Sequence, residues 1–290
     1  AARIGREVMT ITMAAHELAG HFAELGRVKA LTRSAHAVLE GTGHYPQLKG
    51  SANAGLMLEP GGLDMRLHFA HWHWTCLIHD SLPSDKRLSL QIFDQHGRAV
   101  HKIFALDEQP PAQWQDLLAK STHDKPAFTH LAMPQPRPLP STPDLADDWA
   151  AMKDVHQFFG LLRRHALRRH EANALMQGRF TRALAPITIE NALTQAYEIA
   201  LPLMLFVASP GCVQIRSGRV PMPIRRRGWL NLFAEDFTLH LDDASIDQAW
   251  QVHKPNQEGG VTSLEAFDAQ GELILQIYAE RREGQAERSD

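Results

Sequence analysis

Short stretches in which apolar and polar residues alternate predict β-strands separated by tight turns. The predicted strands are 28–32, 55–58, 63–69, 72–79, 88–93 and 100–106 in the first half, and 204–208, 213–216, 230–233, 237–241, 261–267 and 273–279 in the second. Apolar residues at helical spacing predict helices over 14–25, from 147 or 148 to about 169, and over 189–199. Antiparallel hairpins with segregated helices, present twice, indicate an α+β protein.

One strand–turn–strand pattern occurs in both halves of the chain. The segment 89–104 and the segment 263–278 match at a constant offset without a gap, and each contains the turn sequence Asp-x-x-Gly. This repetition predicts a tandem structural repeat: two halves, each with a large antiparallel β-sheet plus helices. A duplicated fold usually forms a cleft where its halves meet, and we expect the functional site there.

Repeated prolines between residues 134 and 143 predict an extended tether, because proline removes amide donors and restricts the backbone. The predicted organisation is an N-terminal repeat over 1–133, a proline-rich linker over 134–143 and a C-terminal repeat over 144–290. A chain of 290 residues is long enough for two such core units.

Composition narrows the class of protein. The formal net charge of −3 gives no general attraction for nucleic acid, and no apolar run is long enough to span a bilayer. Charged residues interrupt the N-terminus before a signal-peptide core can form. Cys76 and Cys212 lie in apolar strands and are predicted to be buried free thiols, which favours a cytoplasmic protein.

The absence of several known sequence motifs argues against nucleotide binding and hydrolase activity. The glycine-rich patterns of nucleotide sites and the nucleophile or zinc motifs of hydrolases do not occur. His68, His71 and His73 raise the alternative of a metal site. On a strand His71 and His73 share one face while His68 faces the other, so structural or ligand-pocket roles are favoured.

The helix predicted around residues 149–164 carries the most suggestive chemistry. Met152, Val155, Phe159 and Leu162 form an apolar stripe, and His156 lies beside it with Gly160 one turn later. A glycine next to an imidazole leaves room for a flat macrocycle whose iron the histidine can reach. A partly buried structural histidine is the alternative that this pattern leaves open.

Several longer motifs resemble one protein family. They are Asp154-Val-His-Gln-Phe-Phe159, Leu161-Leu-Arg-Arg-His165, Gly211-Cys-Val-Gln-Ile215, Gly228-Trp-Leu-Asn231, Phe237-Thr-Leu-His-Leu241 and Val261-Thr-Ser-Leu-Glu265, with Gly26-Arg-Val-Lys-Ala-Leu-Thr-Arg33 and Leu63-Asp-Met-Arg66 in the first repeat. Over nearly the whole chain, this pattern is similar to that of the cytoplasmic hemin-transport and hemin-degrading proteins (the HemS/ChuS/HmuS-like family).

The resemblance implies a cofactor and its ligands. The cofactor is heme b (iron protoporphyrin IX), held in the cleft between the two halves. His156 is implied as the axial ligand of the heme iron and Arg66 as the arginine over the opposite heme face, and these two residues are also the candidate catalytic groups. The implied partners of the heme's polar side are Arg169, Lys254, Tyr278 and Arg281. His253 departs from the family, which commonly has arginine there.

Two functions remain open at this point. In the first, this cytoplasmic protein of bacterial heme uptake binds heme and degrades it oxidatively with an external reductant, which releases iron. In the second, it is a non-catalytic carrier that delivers heme to a separate heme oxygenase. Its expected partners are heme and a reductase, a heme oxygenase or an inner-membrane heme transporter. Nucleic acid is not expected, and neither is a membrane-embedded chain.

Overall fold

The computed structural model describes residues 7–79, 88–132 and 137–280. The first half contributes strands β1 (Glu7–Ile11), β2 (Val28–Arg33), β3 (Ala37–Gly43), β4 (Lys49–Gly50), β5 (Ala54–Met57), β6 (Asp64–His68), β7 (Trp74–His79), β8 (Leu88–Phe93), β9 (Ala99–Ala105) and β10 (Ser121–Thr122). The second half contributes β11 (Thr181–Leu184), β12 (Leu203–Ser209), β13 (Cys212–Gly218), β14 (Ile224–Arg226), β15 (Trp229–Phe233), β16 (Phe237–Leu241), β17 (Gln248–Lys254), β18 (Val261–Phe267) and β19 (Leu273–Ala279).

The helices are few and short. They are α1 (Ala15–Gly20), α2 (Ala112–Ala119), α3 (Leu145–Ala150), α4 (Gln157–Arg164), α5 (Arg169–Leu175) and α6 (Thr188–Glu198). Single-turn 3₁₀ helices occur at Phe22–Glu24, Phe69–His71 and Asp243–Ser245. None of the helices in the described part of the chain has the length and apolar content needed to cross a membrane.

The strands form two large antiparallel sheets, which confirms the predicted α+β fold. The first sheet has the order β10-β1-β7-β8-β9-β2-β3-β16-β15-β14, and the second has the order β11-β17-β18-β19-β12-β13-β6-β5-β4. Each sheet therefore receives three strands from the opposite half of the chain. Residues 134–136 of the predicted linker lie outside the described residues, as does residue 133, and the division into 1–133, 134–143 and 144–290 stays a prediction.

The two hairpins that suggested duplication have the same local structure. In each turn the aspartate, Asp94 or Asp268, accepts backbone N–H bonds from the residues two and four positions later. Gly97 and Gly271 follow with φ values of 76° and 75°, which L side chains rarely adopt. Both hairpins also shift register one residue before their turn region. The turn sequence alone therefore predicts the conformation.

The hydrophobic core lies mainly between the sheets. One cluster combines Leu90 and Ile103 of the first sheet with Met65 and Cys212 of the second. A second cluster combines strands of the two sheets in the same way around α6. A third cluster lies outside this sandwich, where helices α3, α4 and α5 cover β17 and β18. Cys76 and Cys212 are buried and unpaired, as predicted.

The predicted continuous helix from 147 or 148 to about 169 is wrong. The chain leaves helix α3 after Ala150 and enters α4 only at Gln157. Between them the Gln157 side chain accepts the amides of Lys153 and Asp154, and the Asp154 carboxylate accepts the amide of His156. These local side-chain bonds replace the backbone ladder. His156 therefore precedes a helix instead of lying in its middle.

A neutral histidine is buried where the two halves meet. His101 bonds through Nδ1 to Thr32 Oγ1 at 2.8 Å and through Nε2 to the Tyr45 hydroxyl at 2.6 Å. The Cys212 thiol of the second half lies 3.5 Å from the same Thr32 oxygen. Burial lowers the pKa of His101 to about 3.

This buried imidazole makes folding stability depend on pH. The unfolded chain binds a proton near the ordinary value of 6.5, whereas the folded chain resists it until about 3. The contribution is thus complete above 6.5 and is lost as pH falls, by up to about 1.4 kcal/mol per pH unit. We expect the free energy of unfolding of His101→Gln, measured with urea, to change less with pH than that of the wild type between pH 6.5 and 3. The same pH dependence in both proteins would contradict the lowered pKa of His101.

Candidate functional site

His156 presents its ring to solvent immediately before helix α4. Its side chain is 84% exposed, and Nδ1 lies 2.7 Å from Asp154 Oδ1. The same carboxylate oxygen accepts the His156 backbone N–H at 2.7 Å. A carboxylate at Nδ1 places the ring proton there, which leaves the lone pair on Nε2 for a ligand. Metal-ligating histidines commonly donate their other ring nitrogen to a carboxylate in this way.

A buried carboxylate gathers two of the predicted cations. Glu265 on β18 is fully buried, and its Oε1 accepts bonds from Lys254 Nζ at 2.7 Å and Arg169 Nη1 at 2.9 Å. Asn173 and Gln276 donate to the same carboxylate at 3.1 and 2.9 Å. Burial alone would raise the pKa of Glu265, but the charges of Lys254 and Arg169 outweigh it and lower that pKa to about 2.

Two aromatic residues of α4, which follow His156 closely in the chain, contact this charged cluster. Phe158 is buried, with the Arg169 guanidinium 5.0 Å and the Lys254 amine 4.9 Å from its ring centroid. Phe159 is 61% exposed and has the same guanidinium 5.4 Å from its centroid. The predicted apolar stripe is therefore wrong at Phe159, since Phe158 is the residue that faces the core. The exposed Phe159 leaves an apolar surface beside His156.

Sheet register places Arg66 on the same face as Gln276, which donates to Glu265. Arg66 pairs with Val213, and Val213 pairs with Ala208 of β12. Phe206, two positions before Ala208 on β12, pairs with Gln276. Directly paired residues share a face of the sheet, and alternate residues of a strand do too. Since β6 belongs to the first half and β19 to the second, both halves contribute to this outer face.

The strands between Arg66 and Tyr278 leave an apolar surface open. Met204, Phe206 and Val213 point to this face and are only partly buried, whereas the alternate residues of their strands lie in the core. The Phe206 and Tyr278 rings lie 4.9 Å apart, and Gln276 donates to the Tyr278 hydroxyl at 3.0 Å. A partly exposed apolar face between Arg66 and Tyr278 is suited to a large flat ligand.

Arg66 is held against its own strand. Its guanidinium donates to the Asp64 carboxylate and, at 3.2 Å, to the Met65 carbonyl. Burial raises the pKa of Asp64, although the Arg66 charge opposes the effect. Met65 and Leu67 lie in the core on the opposite face, so Arg66 is the outward residue of this strand.

The structure brings together three of the six predicted site residues. Arg169 and Lys254 bond Glu265, and the Lys254 amine lies 5.9 Å from the centroid of the Tyr278 ring. His156 and Arg66 instead bond Asp154 and Asp64. The Lys254 side chain is only 4% exposed, and its amine points to Glu265 and Ser263. His253 Nδ1 instead bonds to Thr262 Oγ1 at 3.1 Å. Arg281 lies outside the described residues.

The histidine-rich segment at residues 68–73 forms a different structure from the one predicted. His71 belongs to the 3₁₀ helix and not to a strand, so the predicted shared face with His73 is wrong. His73 Nε2 contacts the Ala127 carbonyl at 2.8 Å. Among residues 7–79, 88–132 and 137–280, no group of three or more histidine, cysteine or acidic residues is placed to hold a metal ion.

The sequence is similar to a known domain family and to curated relatives. Residues 1–121 and 166–289 match the haemin-degrading HemS.ChuX domain family. The hemin transport protein HmuS of Yersinia pestis is 35% identical over 295 residues, which covers 99% of this chain and 84% of the relative.

Solved structures share the fold. ChuS, a heme degrading enzyme of Escherichia coli O157:H7, superposes with a TM-score of 0.91 at 33% identity, covering 99% of this chain and 86% of ChuS. Holo-PhuS, a heme-binding protein from Pseudomonas aeruginosa, gives a TM-score of 0.89 at 32% identity, again covering 99% and 86% of the two chains. The sequence comparison and the structure comparison therefore both match proteins named for hemin or heme over 99% of this chain.

Proposed function

The chain belongs to the family of haemin-degrading HemS/ChuX domains, and on that premise we propose that it binds heme b in the cytoplasm and degrades it oxidatively to release iron. The observation that carries the proposal is the exposed His156 imidazole, which Asp154 orients immediately before helix α4. Heme, when bound, supplies the redox-active iron for attack on its own ring. The residues of the chain bind and orient it.

Each predicted residue has a distinct role in this proposal. His156 would hold the heme iron through Nε2, and Arg66 would supply a charged hydrogen-bond donor to the heme site. Arg169 and Tyr278 bind the heme's polar side, since a guanidinium and a hydroxyl can bond carboxylates. Lys254 acts with them through the charge cluster around Glu265. Arg281 remains a proposed member of the same group.

One feature supports the cytoplasmic location: Cys76 and Cys212 are both free thiols. Unpaired cysteines are typical of reducing compartments.

Arg66→Ala is expected to retain heme and change the chemistry on the face opposite His156. The variant removes a charged donor that is only 30% exposed, without removing the axial ligand. Azide binding to the ferric complex, followed by absorbance, is therefore expected to weaken by about 1.5–3 kcal/mol, the cost of losing a hydrogen bond to a charged group. Arg33→Ala, an exposed arginine of strand β2, is the control. Unaltered azide affinity would remove Arg66 from the site.

Gly160→Leu is expected to separate folding from ligand binding. A Cβ at Gly160 meets nothing within 4 Å, and leucine is a better helix former by up to about 1 kcal/mol. The new side chain stands one turn from His156 and obstructs a flat ligand, so hemin affinity falls about tenfold, or 1.4 kcal/mol. Gly20→Leu, which has equally open space at the end of α1, is the control. Unchanged affinity would place the heme elsewhere.

Heme delivery without turnover is the second candidate function, and it is favoured by the similarity to a protein named for hemin transport. The test incubates the heme complex with a reductase in the presence of catalase, which removes the free peroxide that bleaches heme without an enzyme. Loss of the Soret band with release of a stoichiometric tetrapyrrole supports degradation. Intact transfer to an apo heme oxygenase, without turnover, supports the carrier function instead.

A further inference from the structure

One oxygen of Asp154 holds both the backbone and the ring of His156. Asp154 Oδ1 lies 2.7 Å from the His156 amide nitrogen and 2.7 Å from its ring Nδ1. The backbone contact shapes the turn that leads into α4, and the ring contact restricts rotation of an otherwise exposed side chain. A purely structural turn needs only the first of these contacts, so the second points to the ring itself.

The turn has a second brace that does not involve the Asp154 side chain. Gln157 Oε1 accepts the amides of Lys153 and Asp154 at 2.8 and 3.2 Å. Met152 is buried at the start of the turn and Phe158 just after it, so packing fixes both ends. The turn is therefore expected to survive loss of the Asp154 charge.

We propose that Asp154 is a positioning residue for the heme ligand: its carboxylate holds His156 as the Nδ1–H tautomer and makes Nε2 a stronger donor to ferric than to ferrous iron. The proposal rests on the axial role of His156 proposed above. An anion hydrogen-bonded to a ligating imidazole raises the basicity of the ring, and the more highly charged metal ion gains most from that basicity. The neighbouring carboxylate thus favours the ferric state.

The first test uses the protein without heme and reads the tautomer directly. Nitrogen NMR of ¹⁵N-histidine-labelled protein in alkaline buffer is expected to show His156 with its proton on Nδ1. In Asp154→Ala the ring is released, and the population is expected to move toward the Nε2–H form that free imidazole side chains prefer. The same tautomer in both proteins would overturn the proposal, whatever heme does.

The second test compares ferric and ferrous heme. Asp154→Asn retains an oxygen for the His156 amide but removes the charge, so ferric affinity is expected to fall by about 10- to 100-fold. Ferrous affinity is expected to fall less. Every tenfold difference between the two states raises the midpoint potential of the heme by 59 mV for one electron, measured by titration with dithionite.

Asp148→Asn supplies the matched control. Asp148 Oδ2 contacts His165 Nε2 at 2.8 Å, so this pair has nearly the same separation but lies away from the proposed ligand. This variant is expected to leave the midpoint potential unchanged. Equal potentials for wild type and Asp154→Asn, with heme bound to both, would overturn this proposal alone. Failure of the wild type to bind heme would overturn the proposed function together with it.

Discussion

His156→Ala is expected to reduce ferric heme affinity by more than about 100-fold. Loss of residues that merely support a metal ligand typically costs 10- to 100-fold, so loss of the ligand itself is expected to exceed that range. The Soret band of any residual complex is expected to shift, because the iron loses its nitrogen donor. Hemin titration followed by absorbance measures both effects.

The expected loss is specific, because His156 contributes little to the fold. Its side chain is 84% exposed, and alanine retains the backbone N–H that Asp154 accepts. The free energy of unfolding is therefore expected to change by no more than about 0.5 kcal/mol. His44→Ala, an exposed histidine between β3 and β4, serves as the control. Wild-type affinity and an unshifted Soret band in His156→Ala would refute the axial assignment.

Glu265→Gln is expected to cause the largest loss of stability. The substitution keeps the shape of the side chain but leaves the buried Lys254 amine without its counter-charge. Removing one partner of a buried ion pair typically costs about 3–5 kcal/mol. Urea unfolding of the heme-free protein at neutral pH measures this change in the free energy of unfolding.

A second substitution identifies the cause of that loss. In the double variant Glu265→Gln, Lys254→Met, the unpaired ammonium is removed and only the Arg169 guanidinium lacks its counter-charge, so part of the lost stability is expected to return. Glu272→Gln, in the exposed hairpin turn, is the control and is expected to match wild type. A loss below about 0.5 kcal/mol in Glu265→Gln would contradict the role of Glu265 as the centre of the cluster.

The same carboxylate predicts acid sensitivity of the wild type. Because its folded pKa is lowered to about 2, Glu265 contributes its full stability above the ordinary value of 4.5. That contribution is lost as pH falls from 4.5 toward 2, since the unfolded chain binds the proton first. The Gln variant lacks this titration, and its stability is expected to change less over that range.

Local patterns predicted the strands that carry clear turn and alternation signals. The bounds of β8, β16, β18 and β19 agree with the prediction at both ends. Strand β17 was missed because the face that the helices cover contains Lys254, and a charge does not count as a core residue in a hydrophobic pattern. The lysine is tolerated there only because Glu265 of the adjacent strand pairs with it.

The break between α3 and α4 is a second feature that hydrophobic spacing alone did not predict. The residues from 147 to 169 have adequate helical spacing, and that spacing predicted one long helix. Side-chain bonds from Asp154 and Gln157 compete with the helical ladder, and their effect depends on packing at both ends of the turn. His156 was identified by the motif around it, but its exposed position before α4 became visible only in the structure.

By itself, the sequence determined the duplicated hairpins, the α+β class and the family, because turn conformation and residue motifs are encoded over a few neighbouring positions. Tertiary structure decided that β4 to β6 join the second sheet and β14 to β16 the first. It also decided that Glu265 holds Arg169 and Lys254. Pairing between strands far apart in the chain depends on the free energy of the whole packed assembly, and no local pattern records it.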